Sequence, residues 1–350
     1  MPRPSPPSPP CFVLPPYMLE NIGRNGSAAQ RRSALATLIA SERFRARRQV
    51  LAALPVATPT GEKRRDVFDA AHRTTLPGRL VRAEGDPPTA DEAADEAYDG
   101  AGSTYDLFFE AFGRNSIDDR GMRLDSTVHY GDGYDNAFWN GSQMVYGDGD
   151  GDLFRRFTIS VDVIGHELTH GVTSREANLD YQGQSGALNE SISDVFGSLV
   201  KQRALGQTAL EADWLIGEGL FTPKVNGTAL RSLRSPGTAY DDPVLGADPQ
   251  PSHMSGYVET DDDDGGVHLN SGIPNHAFFL AATAIGGPAW EKAGMIWYVA
   301  LKDRLRHGSD FAEAARLTAA VAAELHGTGS SEAEAVRGAW NAVGLGVAGA

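Results

Sequence analysis

Two histidines four residues apart, with a glutamate beside the first, carry the most specific chemistry in the chain: His166, Glu167 and His170. An i,i+4 pair projects from one face of a helix, so both imidazoles reach a single ion. Glu167 stands where a carboxylate can lean toward a water on that ion. A hydrolytic zinc site needs a third protein ligand and an open fourth position. Glu190 offers the third ligand, on a second helical segment that follows the turn at 182–186. Two antiparallel helices would bring Glu190 opposite the histidines. Asp194, one turn on, would then accept the free N–H of a ligand histidine.

Other zinc patterns fail on spacing. A metzincin needs Gly at 173 and His at 176, where this chain has Thr173 and Glu176, and the inverted H-x-x-E-H order is absent. The bland alternative is a chance match on an ordinary helix. Glu190 and Asp194 in register with the two histidines weigh against it.

The elements that must position these groups follow from periodicity and breakers. Residues 1–10 are a Pro/Ser tract read as disordered, and Cys11 to Leu19 is a short apolar motif with a double proline. Residues 28–53 read as one Arg-rich helix with Leu35, Leu38, Ile39, Val50 and Leu51 as its apolar positions. Pro55, Pro59 and Gly61 mark a linker. A strand pair is expected between Val67 and Val81, a helix over 91–114, and short strands and loops over 124–158. Helices are expected at about 160–176 and 187–205, then loops to about 272. Four Ala-rich helical stretches close the chain, at 275–286, 289–306, 311–325 and 332–343. The layout is α+β, with three expected parts: a prosegment over 1–60, an N-terminal catalytic lobe over 61–205 that includes the zinc helices, and a mainly helical C-terminal lobe over 206–350.

Composition bounds the function further. The 350 residues carry a net charge of -15, unevenly spread. Residues 1–60 hold eight Arg, no Lys and two Glu, a net of +6, which leaves -21 for the rest. A basic arm on an acidic body suits a segment that docks on its own body, and the acidic body argues against nucleic acid as partner. No apolar run approaches the roughly 20 residues of a membrane span. Cys11 is the only cysteine, so no intrachain disulfide forms. It reads either as an incidental thiol or as a thiolate placed near the metal.

Several blocks together resemble the thermolysin family of zinc metallopeptidases, in family order from about residue 60 to the C-terminus. They are Val163 to Thr173, Tyr181-Gln182 with Gly186 to Gly197, Asn136 to Gly149, Leu230 to Ser232, and Gly265 to Ile273. The short prosegment with Pro15-Pro16-Tyr17-Met18-Leu19 is similar to the protealysin branch. The resemblance implies a two-lobed fold with the zinc helix between a β-rich N-terminal lobe and a helical C-terminal lobe. It implies the ligand set already known for that family: His166, His170 and Glu190 on one zinc ion. Glu167 would act as general base on the attacking water, and His268 and Tyr181 would donate to the oxyanion. Asp194 and Asp263 would orient histidines. Asn136, the Ala137 carbonyl and Arg231 would bind substrate main chain. Taken singly, Tyr181 reads as a core residue, His268 as a loop cap and Asn136 as a turn residue.

The chain also departs from that family. Its double calcium site is matched by Asp162, Asp213 and Glu218, but Lys201 stands where a ligand Glu would be and Leu215 replaces another acid. At most one calcium is expected there, and the added ammonium weighs against any. Asp148, Asp150 and Asp152 fail as an EF-hand, because Leu153 and Ile159 occupy its Gly and Glu positions. The expectation is a monomeric zinc endopeptidase acting on proteins or peptides. It is made as a proenzyme with its own prosegment as partner, and cleaves itself between about Leu54 and Arg65. Export without an evident classical signal peptide is expected, with a cytoplasmic proenzyme pool. The alternative is a zinc- and peptide-binding protein with little proteolytic activity.

Overall fold

The computed structural model of the chain describes residues 11–51 and 62–347, with the backbone alone for 42–51. The tract over 1–10, the linker residues Pro55, Pro59 and Gly61, and most of the expected cleavage region lie outside the described residues.

Two helices open the chain, α1 (Pro16–Asn25) and α2 (Ala28–Leu51). The double proline, read as part of an apolar motif, starts a helix instead. Pro15 is the N-cap and Pro16 the first helical residue, where a missing N–H costs nothing. Met18, Leu19 and Ile22 are buried. In α2 the expected apolar face is displaced. Leu35 and Ile39 are exposed, whereas Ala34, Thr37 and Ser41 are buried. Leu38 is half-buried. The buried face is lined by small and hydroxyl side chains because α2 lies against the polar loop at 133–135.

A mixed sheet follows, made of β1 (Arg65–Asp69), β2 (Arg79–Arg82), β3 (Leu124–Val128), β4 (Ala137–Trp139) and β5 (Met144–Tyr146), with α3 (Glu92–Asp106) between β2 and β3. The order is β2-β1-β3-β5-β4, so β4 is an edge. β1, β3 and β5 run parallel, and β2 and β4 pair antiparallel to their neighbours. Asp91 caps α3 by accepting from the Ala93 and Ala94 amides.

The centre is α4 (Val161–Arg175) packed on α5 (Gly183–Leu205). Every residue of α4 from Asp162 to Thr173 is buried. The helices approach closely through glycine. A Cβ on Gly197 would lie 2.4 Å from the Asp162 carbonyl oxygen, and one on Gly165 would lie 3.1 Å from the Gly197 Cα. Each glycine costs a helix interior about 1 kcal/mol. The close approach that results brings the two polar faces together. α5 starts four residues earlier than its sequence pattern suggests and ends at Gly206 in the left-handed region (φ 65°).

Beyond α5, a two-residue pairing joins β6 (Leu215–Ile216) to β7 (Arg231–Ser232). Next come α6 (Asp263–Asn270), α7 (Gly272–Ile285), α8 (Ala293–Val299), α9 (Phe311–His326) and α10 (Ser331–Ala342). This helical half has its own aromatic centre, with Phe278 edge-on to Trp297 and Trp297 stacked on Trp340. No helix among the described residues is long and apolar enough to cross a membrane.

Candidate active site

α4 presents His166 and His170 one turn apart, both buried, with their Nε2 atoms 3.0 Å from each other. α5 presents Glu190, whose carboxylate oxygens lie 3.5 Å from each Nε2. The far side of each ring is fixed. His166 Nδ1 is 2.8 Å from Asp194 Oδ1, and His170 Nδ1 is 2.9 Å from Asn189 Oδ1 and 3.0 Å from Ser193 Oγ. A carboxylate and an amide oxygen only accept, so both Nδ1 atoms donate, and in the neutral form of each ring Nε2 presents a lone pair. Two lone pairs and a carboxylate facing one another repel unless a cation lies between them.

That arrangement fits zinc. Ligands about 2.0–2.1 Å from a tetrahedral zinc stand about 3.3 Å apart, close to the 3.0 and 3.5 Å found. Glu190 Oε2 and Glu167 Oε1 are buried and take part in no hydrogen bond, a costly state that a cation relieves. Burial holds His170 neutral, with its pKa pushed down to about 3 against the pull of Glu190. Burial, then the charge of Glu190, push the Glu167 carboxyl well above its usual range. The cluster as folded is short of positive charge.

Glu167 is aimed by β4: its Oε2 accepts the Trp139 amide at 3.0 Å. Asp194 also holds Arg231, through bonds of 2.8 Å from Nε and Nη2, and accepts Asn275 Nδ2 at 2.8 Å. On the other side, α6 begins with four positive-φ residues, Asp263, Asp264, Gly265 and Gly266. This stretch is a left-handed turn that strains two aspartates. It folds His268 back onto Asp263, Nδ1 to Oδ1 at 2.6 Å. Burial opposes the charged imidazole, but Asp263 and Glu190 outweigh it and raise the His268 pKa to about 9. Tyr181 donates its hydroxyl to Glu190 Oε1 and lies 3.4 Å from His268 Nε2.

The cleft between these groups is filled by the chain's own N-terminal segment. His268 Nε2 donates to the Phe12 carbonyl at 3.1 Å, the Val13 amide to the Ala137 carbonyl at 3.3 Å, and Arg231 Nη1 to the Val13 carbonyl at 3.0 Å. The Leu14 amide donates to Asn136 Oδ1 at 3.0 Å, and Asn136 Nδ2 donates back to the Leu14 carbonyl at 3.4 Å. Phe12 pairs antiparallel with Phe138. Charge plays little part in what is described of this docking. Arg31 and Arg32 are exposed, and Arg24 pairs with Glu20 of the same helix.

All eleven residues singled out from sequence thus converge on one cleft. Asn189, Ser193 and Asn275 were missed. A histidine that is to hold a metal needs an acceptor for its second nitrogen, and polar residues within a buried helical run are the signal that would have found Asn189 and Ser193. Asn275 has no such local signal.

Comparison with known proteins agrees with the geometry. The family models described as thermolysin metallopeptidase, catalytic domain, and thermolysin metallopeptidase, alpha-helical domain, match residues 58–174 and 177–345. An extracellular metalloprotease of Pectobacterium carotovorum subsp. carotovorum is 53% identical over 336 residues, 96% of each chain. A bacillolysin of Bacillus cereus is 45% identical over 79% of this chain and 48% of its own length. The solved precursor of protealysin, a metalloproteinase from Serratia proteamaculans, superposes with a TM-score of 0.89 at 55% identity, over 96% of this chain and 99% of that one.

Proposed function

The chain belongs to the thermolysin family of metallopeptidases, as a zinc metalloendopeptidase made as a proenzyme, and on that premise we propose how its residues divide the work. His166, His170 and Glu190 hold the zinc. Zinc held there supplies Lewis acidity to a water and to the scissile carbonyl. Glu167, through its unpartnered Oε1, takes the proton of the attacking water and carries it to the leaving nitrogen. His268 and Tyr181 donate to the oxygen that becomes negative, with Asp263 keeping the His268 ring in place. Asp194 orients His166 and Arg231 together. Arg231, Asn136 and the Ala137 carbonyl align the substrate backbone as an added strand beside β4.

The observation that carries this reading is the hold on Phe12, Val13 and Leu14. Those groups bind three successive residues through the segment's main-chain atoms. The prosegment over 1–60 acts as an occupant of the cleft until the chain is cut between about Leu54 and Arg65. The two lobes over 61–205 and 206–350 form the mature monomer, whose substrates are proteins or peptides. Lys201 takes the place of a structural calcium. The name of one relative, the extracellular metalloprotease of Pectobacterium, supports an exported enzyme.

The test is casein hydrolysis by the processed enzyme, with and without 1,10-phenanthroline, beside Glu167→Ala. Both treatments are expected to abolish hydrolysis, with zinc content unchanged in Glu167→Ala. Activity surviving either one would overturn the assignment, and a zinc-loaded wild type without activity would favour a peptide-binding role.

A further inference from the structure

Residues 12–14 lie in the cleft in the direction and register of a substrate, on the reading of His268 and Arg231 given above. The Phe12 carbonyl takes the place of the carbonyl under attack, because it faces His268. The Val13 carbonyl faces Arg231, which binds the residue beyond the cut. The Phe12–Val13 peptide bond therefore stands where a bond would be hydrolysed. A bound peptide in that register ought to be consumed, so something must keep water from the metal.

Cys11, one residue before Phe12, is placed to do so. It is 3% exposed and packs with Tyr181 and Val267 under the site. Its sulfur, a His170 ring nitrogen and a Glu190 carboxylate oxygen all lie within 4.8 Å of one another. Glu190, 1% exposed, also keeps its Oε2 without a hydrogen bond, so the cluster still lacks a partner on the metal side. Zinc–sulfur bonds of about 2.3 Å would put the sulfur about 3.6 Å from the other donors, and it already lies within 4.8 Å of His170 and Glu190.

We propose that Cys11 is the fourth ligand of the metal in the precursor. Its thiol releases one proton to solvent, and the thiolate donates its electron pair to the cation where a water would otherwise bind. No electron is transferred. The precursor is thereby a substrate mimic that carries its own block: the main chain binds as substrate and the side chain removes the nucleophile. When the segment leaves after processing, Cys11 leaves with it and the fourth position opens.

The test uses the full chain with Glu167→Gln, so that processing does not remove the segment, loaded with cobalt(II) in place of zinc. One equivalent of cobalt is expected to give a near-ultraviolet sulfur-to-metal charge-transfer band. The same chain with Cys11→Ser is expected to bind one equivalent without that band. It is also expected to release the metal to a chelator at least about tenfold faster. Stoichiometric cobalt without the band, or an equal band in Cys11→Ser, overturns the inference while leaving the three-ligand site standing. Cobalt binding that is unchanged by His166→Ala would sink the three-ligand site itself, and the inference with it.

Discussion

Two groups of acids sit at opposite ends of the α4–α5 pair, one around the buried Asp162 and one around the buried Glu190, and they are neutralised in different ways. At one end Asp162, Asp213 and Glu218 surround the Lys201 ammonium at 3.4, 2.6 and 3.1 Å. Burial would lower the Lys201 pKa, but Asp162 and Asp213 raise it well above its ordinary value, so the charge is permanent. At the other end Asp194 has Arg231, while Glu190 and Glu167 each keep an oxygen without a hydrogen bond. The first cluster carries its cation in the chain and is closed. The second leaves room for one from outside. A third buried acid, Asp135, has no cation in its hydrogen bonds. Burial, then the charge of Asp150, raise its pKa to about 7 against a hydrogen bond from Ser33. Metal, lysine and proton are three answers to one electrostatic cost.

The largest effect is expected where the external cation is lost. Glu190→Gln keeps the shape and removes a charged ligand, so zinc affinity falls by more than about a hundredfold and casein hydrolysis goes with it. Zinc content by atomic absorption checks this; a variant that keeps one zinc per chain would break the contrast.

Next is the closed cluster. Lys201→Met leaves the fully buried Asp162 without its partner and is expected to cost about 3–5 kcal/mol in thermal or urea unfolding. Lys201→Glu converts the closed cluster into an open one. Its melting temperature is expected to rise with millimolar calcium, while that of the wild type stays flat. An equal calcium response in both chains would show that Lys201 does not close the site.

The smallest effect belongs to Asp135, which lies under the prosegment with its amide on Thr37 and its carboxylate on Ser33. The docked carboxyl titrates at about 7, above the usual range near 4, so the docked state binds the extra proton. Docking is therefore at full strength below about pH 4 and weakens as pH rises through 7. Protease susceptibility of the precursor prosegment between pH 5 and 8 reads this. In Asp135→Asn the pH dependence should vanish; a variant that still loosens over that range would assign the effect elsewhere.

How legible this was depends on distance along the chain. His166, His170, Glu190 and Asp194 fall on two consecutive helices, so spacing alone aligns them. Lys201 among acids was visible as a departure from a calcium pattern. Asn136, Arg231 and His268 come from three separated stretches of chain, and only the resemblance to known blocks joined them. What escaped was set by packing. Pro15-Pro16 reads only as part of an apolar motif, and it starts a helix once Met18, Leu19 and Ile22 find a surface. Leu35 and Ile39 look like a core face, yet the surface they would meet is the polar loop at 133–135, so α2 turns Ala34 and Thr37 inward.

The edge position of β4 has a consequence for what the enzyme can cut. An edge offers its unpaired main-chain groups only to another chain in extended form. Helices and hairpins already spend those groups on themselves. Once the prosegment is gone, folded proteins are spared by their own hydrogen bonding, and the chains that qualify are those that have lost it. Selectivity of this kind senses the conformation of the victim before it reads any side chain.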